Sequence, residues 1–211
     1  YDYPKIKICG LRNLSEVICA SDNGASWFGL IFVDNTPRSI SIRRAERLIS
    51  KTPKGIMPVA VTMDPSVKEI KKLTNIGIKT IQLHGSESIE LCKTLKKNLG
   101  ISIIKAIHIR NLQDLVQAES YASNVDWLLF DYKDKLNLGG TGKSFDWKIL
   151  SDKDLKYNWI LSGGLDYTNI GKAVKITGAK ALDISSGVEI KRGIKSIELI
   201  KEFCNSVKNL Y

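Results

Sequence analysis

The chain has 211 residues, 43% hydrophobic and 26% charged, which suffices for one well-buried core and is short for two ordinary domains, so one domain over 1–211 is expected. No apolar run approaches the ~20 residues of a membrane span and no secretory apolar stretch opens the chain, which leads to the expectation of a soluble, cytoplasmic protein with no membrane partner. The net charge of +10 favours anionic ligands, yet the lysines are dispersed (Lys51, Lys54, Lys71, Lys72, Lys96, Lys97) with no aromatic-rich basic motif, so a solvated cationic surface is expected and not a nucleic-acid module.

Tyr1 in place of an initiator methionine reads as a chain trimmed, processed or cut from a longer polypeptide. In Lys5-Ile6-Lys7-Ile8-Cys9-Gly10, isoleucines alternate with lysines at strand period until Gly10 breaks the run, leaving Cys9 at the strand's C-terminal lip. Asn13 with Glu16 three residues on is a capping signal for the helix that follows. Trp27 to Phe32 is a nearly continuous apolar run, as in a strand buried on both faces, and Ser41 can cap a helix through Ala45, Leu48 and Ile49. The alternation continues with a strand from Ile56 to Val61 and a helix from Val67 to Ile76. A strand from Thr80 to Leu83 and a helix from Glu87 to Leu99 come next, then a strand from Ile101 to Ile107. A helix from Asn111 to Ala122 carries Leu112, Leu115 and Val116 on one side, and the sixth strand, Trp127 to Phe130, ends at Asp131. An irregular stretch from Tyr132 to Ser144 precedes a short helix around Phe145 to Leu150. Strand Trp159 to Leu161, helix Asn169 to Ile176, strand Ala181 to Ile184 and a helix from about Ser196 to Lys208 complete the chain.

Eight strands recurring every ~20 to 30 residues with helical crossovers imply right-handed parallel connections. That count is what a (β/α)8 TIM barrel requires, so the fold class is α/β with a single barrel. An open doubly wound sheet is disfavoured because Cys9-Gly10-Leu11-Arg12 lacks the G-x-G-x-x-G turn of its dinucleotide-binding form.

In a barrel the strand C-termini converge on one face, where Cys9, Arg38, Gln82, His84, Asp131, Ser162, Gly163, Gly164, Asp183, Ser185 and Ser186 end otherwise apolar strands. Ser162-Gly163-Gly164 and Ser185-Ser186-Gly187 place close-approaching amides and hydroxyls after strands seven and eight, the usual barrel position for phosphate; each is also ordinary turn chemistry. Gly139-Gly140-Thr141-Gly142-Lys143 lacks Walker spacing and reads as a substrate-covering loop. Asp131 follows four apolar residues, whose desolvation suits a general acid, though a cap or ion-pair role fits equally. His84 can serve as acid, base or positioned donor, and Arg38 as a carboxylate clamp. Cys9 taken alone is a small buried hydrophobe. The four cysteines, Cys9, Cys19, Cys92 and Cys204, show no C-x-x-C spacing, so neither a zinc site nor a redox pair is signalled and a reducing compartment fits best.

Seven segments together resemble the phosphoribosylanthranilate isomerase family of tryptophan biosynthesis. They are Lys7 to Gly10, Thr36 to Ser41, Gln82 to Gly85, Leu129 to Asp131, Gly140 to Trp147, Leu161 to Leu165 and Asp183 to Glu189, in order along essentially the whole chain. The resemblance implies a (β/α)8 barrel and an Amadori rearrangement of N-(5-phosphoribosyl)anthranilate to 1-(2-carboxyphenylamino)-1-deoxyribulose 5-phosphate. It implies Asp131 as general acid and Cys9, as thiolate, as general base. Arg38 would hold the anthranilate carboxylate, and Gly164, Ser185 and Ser186 the phosphate. Gln82, His84, Gly142, Gly163 and Asp183 complete the substrate-binding set, with no cofactor, no metal and either a monomer or a homodimer. Ser196 stands where an acidic residue often occurs in the family, a departure confined to the loop after the last strand. Two other readings compete with this one. The related aminoimidazole ribonucleotide isomerase of histidine biosynthesis resembles a two-aspartate site, against which Cys9 argues, and a silent phosphate- or nucleic-acid-binding barrel is opposed by the pairing of Cys9 with Asp131.

Overall fold

The computed structural model describes residues 3–131, 147–151 and 153–211. Its first half runs β1 (Lys5–Cys9), α1 (Leu14–Asp22), β2 (Trp27–Ile31), α2 (Ile42–Ile49), β3 (Met57–Thr62), α3 (Val67–Asn75), β4 (Thr80–Leu83), α4 (Ile89–Leu99) and β5 (Ser102–His108). It continues with α5 (Leu112–Ala122), β6 (Trp127–Asp131), a 3-10 turn (Trp147–Leu150), β7 (Trp159–Leu161), α6 (Ile170–Thr177) and β8 (Ala181–Ile184). A second 3-10 turn (Ser186–Val188), a hairpin of Glu189–Lys191 with Ile194–Lys195, and α7 (Ile197–Lys208) follow. Each strand pairs in parallel with the next, and β8 returns to β1, so the eight close into a barrel.

Local chemistry starts and stops the helices. Glu16 accepts from the backbone N–H groups of Arg12 (2.8 Å) and Asn13 (3.1 Å), closing the box at the head of α1. Ser41, Ser66, Ser88 and Ser196 each accept from a backbone N–H in the first turn of α2, α3, α4 and α7. Gly100 and Gly178 close α4 and α6 in the left-handed conformation. No helix among the described residues is long and apolar enough to cross a membrane.

The core has two shells. The larger lies between sheet and helices and includes Ile6, Ile8, Phe28, Leu30, Ile81, Ile103, Leu128 and Phe130; the smaller fills the barrel with Trp27, Val59, Ile104, Ala106, Leu129, Ile160 and Ala181. The Lys5 ammonium covers the N-terminal end of that filling, 5.5 Å from the Trp27 ring and 5.4 Å from the Trp127 ring.

Several boundaries differ from expectation for identifiable reasons. The helix expected to open at Glu87 starts at Ile89, because Glu87 is buried in an ion pair with Lys105. The fifth strand runs on to His108, which pairs with Asp131 of β6. On α5 only Leu115 of the expected apolar trio is buried; Leu112 and Val116 are exposed. The alternation in β1 is not core against water: Ile6 and Ile8 face the helices, while Lys7 and Cys9 face the barrel interior and are both buried. Gly142 and the whole segment 132–146, including the expected covering loop and the start of the short helix, lie outside the described residues.

Candidate active site

Cys9 ends β1 with its thiol over Gly29 of β2, its register partner. A Cβ at position 29 would stand 2.8 Å from the Cys9 sulfur, so glycine there makes the space in which the thiol sits. One turn of the pleat below, Lys7 shares the same face and is wholly buried. Its ammonium donates to Asp183 on the neighbouring β8 at 2.7 Å, and the second Asp183 oxygen accepts from the Ser162 hydroxyl at 3.2 Å. Burial by itself lowers the Lys7 pKa, but the Asp183 carboxylate and the Cys9 thiol outweigh it and hold the ammonium above its ordinary value. Burial pushes the Cys9 thiol up, opposed by the positive charge of Lys7 and, from the other side, of Lys195.

Lys195 comes from the hairpin after β8. It donates to the Ser185 carbonyl at 2.8 Å and to Glu189 at 2.9 Å, and desolvation lowers its pKa. Glu189 also takes both donors on one edge of Arg38, Nε and Nη2, each at 2.7 Å. Burial raises the Glu189 carboxyl, but the hydrogen bonds from Arg38 and the Lys195 charge prevail and hold it at about 2. The Arg38 clamp is therefore already closed on one side. Its other, end-on edge is not the one Glu189 takes.

Across the mouth, β4 to β6 supply a second group. The Gln82 amide lies 3.1 Å from His84 Nδ1, and His84 Nε2 lies 3.4 Å from Asp131 Oδ2. Gln82 is 1% exposed, whereas His84 and Asp131 are half-buried, open to a ligand from the mouth. His108 stands beside them, its ring centroid 5.6 Å from that of His84. Asp131 and Cys9 end strands β6 and β1, with β7 and β8 between them around the barrel, so the two groups look into one mouth from different sides.

The turns after β7 and β8 adjoin. Gly163 and Gly164 both have positive φ, 90° and 67°, turning the chain tightly at the end of β7. Asn169 donates to the Gly164 carbonyl at 2.7 Å and braces that turn. Gly187 packs directly on the Leu165 carbonyl, leaving no room for a side chain and locking the two turns together. Ser185 donates to the Cys9 carbonyl at 3.2 Å, tying the turn to β1, and Ser186 opens the 3-10 turn.

The structure thus brings together Cys9, Arg38, Gln82, His84, Asp131, Gly163, Gly164, Asp183, Ser185 and Ser186 at the C-terminal mouth. Sequence reasoning missed Lys7, Lys195 and His108. Lys7 was legible as the residue two before Cys9 in a strand covered on both faces, and His108 as the polar end of the fifth apolar run. Lys195 carried no local signal, because a hairpin folds it back over the mouth.

The family described as N-(5'-phosphoribosyl)anthranilate (PRA) isomerase matches residues 6–206. A curated N-(5'-phosphoribosyl)anthranilate isomerase of Zymomonas mobilis subsp. mobilis is 38% identical over 208 residues, covering 98% of this chain and 99% of its own. Another, from Cereibacter sphaeroides, is 35% identical over 97% and 98%. Among solved structures, the phosphoribosyl anthranilate isomerase of Thermotoga maritima superposes with a TM-score of 0.89 at 31% identity, covering 98% of this chain and 99% of its own. A phosphoribosyl anthranilate isomerase in complex with reduced 1-(o-carboxyphenylamino)-1-deoxyribulose 5-phosphate superposes with a TM-score of 0.86 at 29% identity, covering the same shares.

Proposed function

Because the chain belongs to the N-(5'-phosphoribosyl)anthranilate isomerase family, we propose that its barrel mouth isomerises N-(5'-phosphoribosyl)anthranilate with Asp131 as general acid and Cys9 as general base. The observation that carries the assignment is the position of the two groups. A thiol among Lys7, Lys195 and Arg38 and a carboxyl against His84 end different strands at the same end of the barrel.

The adjoining turns at Gly163-Gly164 and Ser185-Ser186 hold the phosphate through amides and hydroxyls, and the free edge of Arg38 takes the anthranilate carboxylate. Asp131 gives its proton to the furanose ring oxygen as the C1–O bond breaks, with the anthranilate nitrogen lone pair forming the Schiff base. The Cys9 thiolate then removes the C2 proton, the electron pair moves into C1–C2, and an enolamine results. Protonation at C1 with loss of the C2 hydroxyl proton gives the ketone. The protons gained by the ring oxygen and C1 balance those lost from C2 and its hydroxyl, and C2 is oxidised as C1 is reduced, so no outside oxidant or reductant is needed. Lys7 and Lys195 supply the positive field that opposes burial at the Cys9 thiol. Burial keeps the thiol above its ordinary pKa and makes the thiolate a strong base, and the two ammonium groups limit that rise. His84, hydrogen-bonded on its other side to Gln82, is placed to hold and return the proton that Asp131 spends. Asp183 supports Lys7.

Purified protein supplied with phosphoribosylanthranilate should form the aminodeoxyribulose phosphate. Cys9→Ala and Asp131→Ala should each lose all but ~1/1000 or less of turnover while keeping the wild-type unfolding transition, and an undiminished rate in either removes that residue from the chemistry. Arg38→Ala should mainly raise KM; a variant with unchanged KM overturns the clamp.

A further inference from the structure

One polar side chain at the β4–β6 edge of the mouth, His108, has no task in the isomerisation proposed above. Alternation along β5 sends Ile104, Ala106 and His108 to the barrel interior, and strand register sets His108 beside Asp131. One ring nitrogen of His84, one of His108 and one Asp131 carboxylate oxygen all lie within 4.8 Å of one another, and all three residues are half-buried.

We infer that His84, His108 and Asp131 form a binding site for a divalent first-row transition ion of the zinc type, and that this ion blocks turnover by taking the Asp131 carboxylate. The donor set is two imidazole nitrogens and one carboxylate oxygen, which suits zinc, nickel or copper and not magnesium or calcium. The 3.4 Å between His84 Nε2 and Asp131 Oδ2 is about the edge of a tetrahedron whose bonds are ~2.0–2.1 Å long, so these two donors are already spaced for one ion. A torsional adjustment of the His108 side chain brings in the third, and the mouth leaves the fourth position to water. The surroundings also serve the ion. A metal-bound imidazole donates its remaining N–H to a fixed acceptor, and Gln82, 1% exposed, holds His84 Nδ1 at 3.1 Å. The Gln82 Oε1 is buried without a hydrogen-bond partner. A half-turn of the amide presents that oxygen to Nδ1–H and so stabilises the tautomer whose Nε2 lone pair faces the ion.

Binding stands on the geometry alone, whereas inhibition rests on the reading of Asp131 as the acid, and the experiment separates them. Chelator-treated protein is titrated with Co2+ without substrate. The expected result is a visible d–d absorption that saturates at one equivalent and whose affinity falls at least ~10-fold in His108→Leu. No such spectrum, one unchanged in His108→Leu, or a strong near-ultraviolet thiolate band placing the ion on a cysteine overturns the site. In parallel, Zn2+ is added to the turnover assay. Wild type should slow ~10-fold or more and recover with EDTA, while metal-free His108→Leu should turn over within about twofold of wild type and resist the same Zn2+ concentration. Equal inhibition of both proteins overturns the proposal, as does His108-dependent Co2+ binding without inhibition by Zn2+, which removes the blocking role. Failure of the acid reading is seen separately, as a metal-free Asp131→Ala protein that turns over normally.

Discussion

Two of the buried lysines, Lys7 on β1 and Lys105 on β5, put the same chemistry to different ends. They are 0% and 2% exposed, and each meets one carboxylate: Asp183 at 2.7 Å for Lys7 and Glu87 at 2.8 Å for Lys105. Lys105 points outward between sheet and helices. It donates to the Gly85 carbonyl at 2.7 Å and lies 5.8 Å from the Tyr121 ring, fastening the loop between β4 and α4. Lys7 points inward, where its charge falls on the Cys9 thiol. Which side of the strand a buried charge occupies decides whether it holds a loop or sets the field of the mouth.

The largest effect should come from breaking the inward pair. Replacing Lys7 with Met and Asp183 with Asn together leaves no unpaired carboxylate and removes the cation that opposes burial at Cys9. The Asp183 charge is removed along with it, but its opposite effect on the thiol is smaller than that of Lys7. The thiol pKa then rises further, so turnover at neutral pH should fall ~100-fold and the alkaline rise of the pH–rate profile should move to higher pH. A folded double variant with an unmoved profile would make Lys7 a structural lysine like Lys105.

Breaking the outward pair should act on stability alone. Lys105→Met strands a buried Glu87 and should cost ~3–5 kcal/mol in denaturant unfolding, with kcat within about twofold where the protein is folded. Adding Glu87→Gln should recover most of that loss. Loss of kcat at unchanged stability would erase the distinction.

The smallest effect is a difference in acid sensitivity. Burial raises the Glu87 carboxyl, but Lys105 outweighs it and holds the group below its ordinary 4.5, while Glu189 is held at about 2 by Arg38 and Lys195. Both carboxyls are depressed on folding, so the stability they supply is complete above pH 4.5 and is lost as pH falls toward 2. Lys105→Met with Glu87→Gln should flatten that loss in part, leaving the share of Glu189. An equally steep curve would show that Glu87 contributes nothing there.

Much of this was readable before any fold was seen. Hydrophobic runs bounded by Gly and Ser marked eight strands, and Asn13, Ser41 and Gly100 marked helix ends, because these signals depend only on neighbours along the chain. The polar strand ends at Cys9, Gln82, His84, Asp131 and Asp183 were visible for the same reason. Less visible was what each pairs with. The Lys7–Asp183 bridge spans 176 positions and the Arg38–Glu189 pair 151, and no local pattern encodes contacts at that range.

The sequence by itself determined the strand and helix order, the family, and the residues that end each strand, since periodicity, capping and motif spacing are local properties of a chain. The tertiary structure alone decided which face of each strand looks inward. In a closed parallel barrel both faces are covered, so an alternation of two residue types names two sides without saying which is the interior. Closure of β8 onto β1 turned Lys7 and Cys9 into the mouth, brought Lys195 over them from the hairpin, and set His108 beside Asp131.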